Sequence, residues 1–360
     1  MENFVTELLE LRSTATLLVV IGVSLTVLAR LANIVVDQAV ILSERSGLPK
    51  VVVGATIVSL GTTAPEVAVS VLAAFRGDPG LAMGNAVGSI ICDTGLILGV
   101  ACLIRPLSIP SAIANRQGWV QLGSGLLLIL LSIPWATPFS PWTHGAEGVF
   151  PRWAGFLFLG LLMVYLWLSV KWTRTTGVDS ALKPGSEAQG ESNSSNRSEP
   201  LPVPVPVTLL KLILVIAGVI ASANVLIPAV KIVAERWGVP NSVIALTIVA
   251  FGTSLPELVT CVQAARRGHG DLAIGNIIGA DVLNALFVAG ASAAVSPGGL
   301  TVDKPFFWLS FPTMVVVLIV FRIGILVCKD NLPRRFGIVL LGSYLAYLGL
   351  TVATGLGSAH

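Results

Sequence analysis

The chain has 360 residues, of which 54% are hydrophobic and only 11% are charged, and its mean hydropathy is +0.87. Soluble proteins carry about a quarter charged residues, so this composition excludes a water-soluble globular enzyme. The formal net charge of +3 comes from 22 basic and 19 acidic residues, without the dense basic arm that would indicate a nucleic-acid partner. We therefore expect a membrane protein whose partner is the lipid bilayer.

Apolar stretches long enough to cross a bilayer, about 20 residues each, recur along the chain. They are continuously apolar, whereas the strands of a membrane barrel alternate over about ten residues. The N-terminus lacks the basic region of a signal peptide, so we interpret the first stretch as a retained helix. The sequence predicts an all-α integral membrane protein with ten transmembrane helices, at residues 14–42, 50–75, 80–104, 118–136, 152–171, 207–233, 240–265, 270–296, 305–328 and 335–355.

Residues 175–206 interrupt this pattern between the fifth and sixth predicted helices. The segment is rich in Ser, Gly, Pro and charge and cannot bury a core, so it predicts a flexible linker. It would join a first five-helix repeat, residues 1–174, to a second, residues 207–360. Lys and Arg of short loops favour the cytoplasm, and 14 of them lie on the linker side against six on the other. We expect a multi-pass cell-membrane protein with a cytoplasmic linker and both termini outside.

An internal repeat relates the two halves. When the sequence is shifted by 191 residues, residues 32–99 align with 223–290 without a gap, and 26 of the 68 positions are identical. The strongest block pairs GTTAPE at 61–66 with GTSLPE at 252–257. Because each repeat holds five predicted helices, the second enters the membrane from the opposite side. The sequence thus predicts two inverted five-helix repeats, an architecture that many secondary transporters share.

Glu66 and Glu257 occupy matching positions near the middle of their predicted helices. A carboxylate at that depth costs about 2.5 to 3.5 kcal/mol on insertion scales, which makes it a functional candidate. Pro65 and Pro256 precede the two acids, and a proline inside a helix leaves a backbone carbonyl without its usual donor. The structural alternative is a pair of protonated acids that only form interhelical hydrogen bonds.

Hydroxyl side chains precede each acid by three and four residues, on its face of the helix. They are Thr62 and Thr63 in the first repeat and Thr253 and Ser254 in the second. Carboxylate, hydroxyl and freed carbonyl are hard oxygen donors, which suit Ca²⁺ or Na⁺ and do not suit zinc or copper.

The following span of each repeat adds a polar stripe with a spacing of four residues, which we expect to close the cage. The stripes are Asn85, Ser89 and Asp93 in the first repeat and Asn276, Ala280 and Asn284 in the second. For the two stripe asparagines at 85 and 276, a ligand role and a role in joining helices both remain open. The glycine pairs Gly84/Gly88 and Gly275/Gly279 are interpreted as close helix packing.

Asp281 has no acidic counterpart in the first repeat, where Ile90 stands. Two alternatives remain open for Asp281: it serves as a gate or ion-access residue, or it forms a hydrogen bond with a purely structural role. The four cysteines and three histidines lack the spacing of a metal or redox site, and no hydrolase motif is present, so the sequence indicates neither an enzyme nor a cofactor. An ion channel is the other class that would place oxygens at mid-membrane.

With both G-[TS]-[TS]-x-P-E blocks at inverted positions, the sequence resembles the calcium/cation antiporter superfamily, in its prokaryotic sodium/calcium exchanger branch. The resemblance implies exchange of several Na⁺ for one Ca²⁺ by alternating access, in which the long first and sixth helices slide against the others. Small inorganic cations would be the only ligands, and one chain would be sufficient for transport. Proton- or potassium-coupled calcium exchange is the alternative.

The resemblance also implies a ligand set. Calcium would be coordinated by Glu66 and Glu257, with Thr62 and Thr253 contributing to its cage. Sodium would also be bound by hydroxyls and backbone carbonyls, namely Thr63, Ser89 and Ser254 and the carbonyls of Ser59 and Ala250.

This sequence departs from the family pattern in two ways. Ala280 stands where a serine is usual. The family commonly has an amide at the position of Asp93 and often an acid at the position of Asn284, and here the two are exchanged, which leaves the sodium stoichiometry open. Three unpaired carboxylates around one site cannot all stay ionised in a low dielectric. We expect Asp93 to be protonated or turned away when Ca²⁺ is bound, whereas three Na⁺ could satisfy all three acids.

Overall fold

The computed structural model describes residues 2–109, 111–135, 147–180, 204–237, 252–328 and 331–353. This part of the chain is almost entirely helical. Its helices are α1 (Glu2–Glu10), α2 (Thr14–Ser46), α3 (Lys50–Thr62), α4 (Ala64–Phe75), α5 (Pro79–Ile104), α6 (Ser111–Ser132), α7 (Arg152–Ser180), α8 (Val205–Arg236), α9 (Leu255–Arg266), α10 (Gly270–Val295), α11 (Phe306–Val327) and α12 (Arg334–Ala353).

Two short antiparallel strand pairs tie loops together at the two ends of the bundle. Strand β1 (Leu107–Ser108) pairs with β4 (Asn331–Leu332), and β2 (Gly148–Phe150) pairs with β3 (Leu300–Val302). The sequence did not predict these strands. Each pair joins two loops that the distribution of basic residues assigns to the same side of the membrane.

Seven helices of the described residues are long and apolar enough to cross a membrane, or eight if the bent pair α3 and α4 forms one span. The protein is therefore a multi-pass membrane protein. Helix α6 covers most of the predicted fourth span but begins seven residues earlier, at Ser111. The prediction missed these first turns because they carry polar residues. Most of the N-terminal part of the predicted span 240–265 lies outside the described residues, so the count of ten stays a prediction.

The helices differ sharply in how much of their surface is buried by protein. Within the most apolar stretch of each helix, 94% of the residues of α10 and 72% of those of α5 are buried, against 28% for α2 and 33% for α8. Helices α5 and α10 therefore form the centre of the bundle. The long helices α2 and α8 pack along each other at its edge and leave many apolar side chains for lipid.

Helix ends follow local sequence signals. Ser13 caps α2 by accepting a hydrogen bond from the Thr16 amide, and Gly47 ends the helix with a left-handed φ of 69°, which glycine adopts without strain. The predicted span 50–75 is divided near Thr63, where α3 and α4 meet at a bend of 46°. Pro65 accounts for the break, because it cannot donate a hydrogen bond to the turn before it.

Close helix packing is confirmed for one of the two predicted glycine pairs. A Cβ on Gly275 would overlap the backbone of Val51, and one on Gly279 would overlap the backbone of Ala55. Helix α10 thus contacts α3 backbone to backbone. Gly84 and Gly88 make no such approach to any described residue.

The predicted linker is shorter than expected at both ends. Helix α7 continues to Ser180 and α8 begins at Val205, so the first six residues and the last two of the segment 175–206 are helical. Residues 181–203 lie outside the described residues.

Candidate functional site

Two glutamates meet at the centre of the bundle because each begins a helix there. Glu66 lies in the first turn of α4 and Glu257 in the first turn of α9, each directly after a proline. A carboxylate in the first turn is favoured by the free amide groups and the dipole of the helix. Both side chains are only 1% exposed.

The two halves exchange hydrogen bonds across the site. Thr63 Oγ1 donates to Glu257 Oε1 at 3.1 Å, and Ser254 Oγ donates to Glu66 Oε1 at 3.4 Å. The two contacts are equivalent under the shift of 191 residues. Thr63 and Ser254, which were predicted to lie on the face of their own glutamate, thus each donate to the glutamate of the other half.

Asp93 and Asn284 form a second contact between the halves. Asn284 Nδ2 donates to Asp93 Oδ2 at 3.2 Å, and both side chains are 1% exposed. Each residue lies at the start of a π-helical turn, at 92–97 and at 284–289. Such turns often occur at functional sites, because the wider turn frees backbone groups. The negative charge of Asp93 also repels those of Glu66 and Glu257.

Asn85 connects the first glutamate to the other half. Its Nδ2 donates to the backbone oxygen of Glu66 at 3.3 Å and to Ser70 Oγ at 2.8 Å, while its Oδ1 accepts from Thr253 Oγ1 at 3.4 Å. These bonds favour a role in joining helices. Its counterpart Asn276 is fully buried, and neither of its side-chain atoms has a partner among the described residues.

Several oxygens at the centre lack hydrogen-bond partners within the described part of the chain. They are Glu66 Oε2, Glu257 Oε2, Asp93 Oδ1, Asn284 Oδ1 and Ser89 Oγ. Leaving one buried polar atom unpaired costs about 1 to 3 kcal/mol, so a cluster of five indicates a site made for a ligand. Carboxylate, amide and hydroxyl oxygens are the ligands that a hard cation prefers.

The remaining predicted site residues lie as follows. Thr62 is buried, donates to the Ser59 carbonyl at 3.3 Å and interacts with the Glu257 carboxylate. The Ser59 carbonyl also accepts from the Thr63 amide at 2.9 Å, so it is not free in this conformation. Ala280 is fully buried and contributes no hydroxyl. Ala250 lies outside the described residues.

Within the described ranges, no three His, Cys, Asp or Glu side chains form a group that could hold a metal ion by themselves. A cation at this site would therefore be coordinated by carboxylates together with hydroxyl and amide oxygens. That mixed oxygen set fits a transported alkali or alkaline-earth ion.

Sequence reasoning missed the partners of Asp281. Asp281 Oδ2 accepts hydrogen bonds from Thr94 Oγ1 and from Gln121 Nε2, which lie on α5 and α6. The available signal was the spacing of Gln117, Gln121 and Ser124, which places three polar residues on one face of an otherwise apolar helix. All three are buried.

Comparison with known proteins agrees with this geometry. The family model described as sodium/calcium exchanger protein matches residues 16–171 and again 207–353, which together make up most of the chain. The chain belongs to the sodium/calcium exchanger family. It is thus a member of the calcium/cation antiporter superfamily, as the sequence motifs indicated, and a cation/Ca²⁺ antiporter rather than an enzyme.

Relatives of this family match over nearly their whole length. The chain is 31% identical to the inner membrane protein YrbG of Escherichia coli over 339 residues, which cover 93% of this chain and 96% of the relative. It is 29% identical to the sodium/calcium exchanger MaX1 of Methanosarcina acetivorans, over 87% of this chain and 92% of that one. A solved structure of the sodium-calcium exchanger NCX_Mj superposes with a TM-score of 0.72 at 25% identity, covering 95% of this chain and 99% of the other.

Proposed function

We propose that this chain exchanges Na⁺ for Ca²⁺ across the cell membrane by alternating access. The transported ions would compete for one central cage that contains Glu66 and Glu257. The observation that carries the proposal is the reciprocal pair of hydrogen bonds from Thr63 to Glu257 and from Ser254 to Glu66, which brings both acids to one place. The relatives MaX1 and NCX_Mj, both named sodium/calcium exchangers, support sodium and calcium as the ions.

Charge balance favours exchange over simple passage of ions. Ca²⁺ compensates the two glutamates, and Asp93 adds a third acid whose charge repels them. Three Na⁺ would balance all three acids, and one Ca²⁺ balances the two glutamates when Asp93 is protonated or turned away, so either load leaves the buried site near the neutrality that a low-dielectric interior requires. Because the ions share ligands, binding of one displaces the other.

The proposed ligand set combines the carboxylates with the surrounding oxygens. It comprises Glu66, Glu257, Thr62, Thr63, Thr253, Ser254, Ser89, Asp93 and Asn284, together with the carbonyls of Ser59 and Ala250. The unpartnered oxygens of five of these side chains support the set. The Ser59 carbonyl would have to exchange its helical hydrogen bond for an ion.

Alternating access would use the two long edge helices. Helices α2 and α8 pack along each other, and Arg236 at the end of α8 donates at 2.8 Å to the backbone oxygens of Glu10, which ends α1, and of Arg12, which lies just before α2. The pair would therefore move as one body against the buried centre. We propose ten transmembrane helices in two inverted repeats, with both termini outside, a cytoplasmic linker, and one chain sufficient for transport.

Flux measurements with separate ion gradients test this proposal. The full chain is reconstituted in proteoliposomes, and ⁴⁵Ca²⁺ uptake is measured under an outward gradient of Na⁺, of K⁺ or of H⁺. We expect the Na⁺ gradient to drive uptake, Glu66→Gln to abolish it, and Glu44→Gln, which neutralises an exposed acid of α2, to retain it. Uptake driven only by H⁺ or K⁺ would support the alternative coupling, and calcium current without any counter-ion would indicate a channel.

A further inference from the structure

Buried polar side chains from three helices meet outside the central cage. Asp281 of α10 is 2% exposed, and its Oδ2 accepts from Thr94 of α5 and from Gln121 of α6, the latter at 2.5 Å. Gln121 Nε2 is also 3.3 Å from Thr94 Oγ1, so the three side chains form a closed triangle. At 1.5 Å per residue, Asp281 lies about 16 Å along α10 from Gly270, near mid-membrane.

The charge of Asp281 has no cationic partner in this part of the chain. The ion pairs of the described residues are Lys231–Glu235 and Arg267–Asp37, and neither involves Asp281. Asp281 Oδ1 also has no hydrogen-bond partner among the described residues. An ionised, unpaired carboxylate is costly at this depth, so an additional positive charge must accompany it.

Gln117 supplies a second, independent indication of a ligand. It lies one turn before Gln121 on the same face of α6 and is fully buried. Neither its amide oxygen nor its amide nitrogen has a partner within the described ranges. Helix α10 thus carries an unpartnered carboxylate oxygen, and the neighbouring helix α6 carries an unpartnered amide one turn from the residue that donates to that carboxylate.

We propose that Asp281, Thr94, Gln121 and Gln117 form a second cation site, which binds one monovalent alkali ion, Na⁺ or K⁺. One carboxylate balances one positive charge, whereas Ca²⁺ would leave a buried excess charge. A proton on Oδ1 could reach only one acceptor, whereas an alkali ion coordinates several oxygens at once, which fits a cluster of carboxylate, hydroxyl and amide oxygens.

This second site would act on the central cage through charge. The negative charge of Asp281 repels that of Asp93, and Thr94 follows Asp93 directly in the chain. An alkali ion at Asp281 would remove that repulsion. The inference goes beyond the proposed exchange, because no ligand is shared between the two sites.

Direct ion binding tests the proposal with the full chain in detergent. The double variant Glu66→Gln/Glu257→Gln removes the two glutamates of the central cage and leaves Asp93, and equilibrium dialysis then measures bound ²²Na⁺ or ⁸⁶Rb⁺, the latter as a potassium probe. We expect the double variant to retain about one ion of one of the two probes per chain, as a single buried carboxylate requires. Adding Asp281→Asn should abolish this binding, adding Gln117→Leu should weaken it several-fold, and adding Glu44→Gln should leave it unchanged.

The outcomes separate the two proposals. If the double variant binds neither probe, or binds it equally with Asp281→Asn, the second site is refuted. Proton release that depends on Asp281 without any bound alkali ion would refute it as well. If Asp281→Asn does not fold, as judged by gel filtration and melting temperature, Gln117→Leu decides: unchanged binding contradicts the site. Tight Ca²⁺ binding by the double variant would instead contradict the central cage.

Discussion

Replacing Thr63 by valine tests the crossed hydrogen bonds of the central cage. Valine keeps the branched shape of the side chain but removes the hydroxyl that donates to Glu257 Oε1 at 3.1 Å. A buried hydrogen bond to a charged group contributes about 1.5 to 3 kcal/mol, and the ion-bound state needs Glu257 ionised. We therefore expect the apparent affinities for Na⁺ and Ca²⁺ to fall by about 10- to 150-fold.

The equivalent contact in the other half gives an internal comparison. Ser254 Oγ is 3.4 Å from Glu66 Oε1, near the limit of a hydrogen bond, so Ser254→Ala should lower the affinities less than Thr63→Val. Thr56→Val is the matched control, because Thr56 only donates to the Val52 carbonyl of its own helix at 2.7 Å. Its effect should stay within about twofold.

The assay is ⁴⁵Ca²⁺ uptake into proteoliposomes at a series of Na⁺ and Ca²⁺ concentrations. Two results would refute the reasoning. One is that Thr63→Val is indistinguishable from Thr56→Val. The other is that Ser254→Ala has the larger effect, which would mean that the contact distances do not reflect the strength of the two bonds.

Further predictions concern the third acid, the missing hydroxyl and the loop histidine. Asp93→Asn should lower the Hill slope for Na⁺ and flatten the pH profile of exchange, and an unaltered slope and profile would contradict its role. Ala280→Ser should raise the apparent Na⁺ affinity about fivefold if the added hydroxyl becomes a ligand; no change in the sodium titration would show that it does not. The pKa of His269 is lowered from 6.5 by burial and by Lys50, so its contribution to stability is present above pH 6.5 and is lost as the pH falls below it. Melting temperatures between pH 5 and 8 should therefore decline less on the acid side for His269→Gln than for wild type, and parallel curves would exclude this contribution.

Local signals accounted for much of the fold. The apolar stretches predicted the helices, and the proline before Glu66 marked the point where the structure bends. The distribution of basic residues grouped the loops that the short strand pairs later join. The strands themselves were not predictable, because each spans two or three residues and depends on a partner more than 140 residues away.

Sequence reasoning named candidate residues for the site but not the contacts between them. Helical spacing assigned Thr63 to the face of Glu66, whereas in the structure its hydroxyl donates to Glu257. The environment of Asp281 was equally hidden, because its partner Gln121 is 160 residues away in a helix selected for its apolar character. Pairing across the bundle depends on how helices pack, and periodicity within one helix carries no information about it.

The central claim is that the acids of the two halves share one cation, and diffraction tests it most directly. Crystals of the full chain soaked in Sr²⁺ would be measured for anomalous scattering, since Sr²⁺ stands in for Ca²⁺. The account predicts one strong peak with oxygens of both Glu66 and Glu257 at coordination distance, about 2.3 to 2.6 Å for Ca²⁺ and slightly longer for Sr²⁺. A peak held by only one of the two glutamates, or by neither, would contradict it.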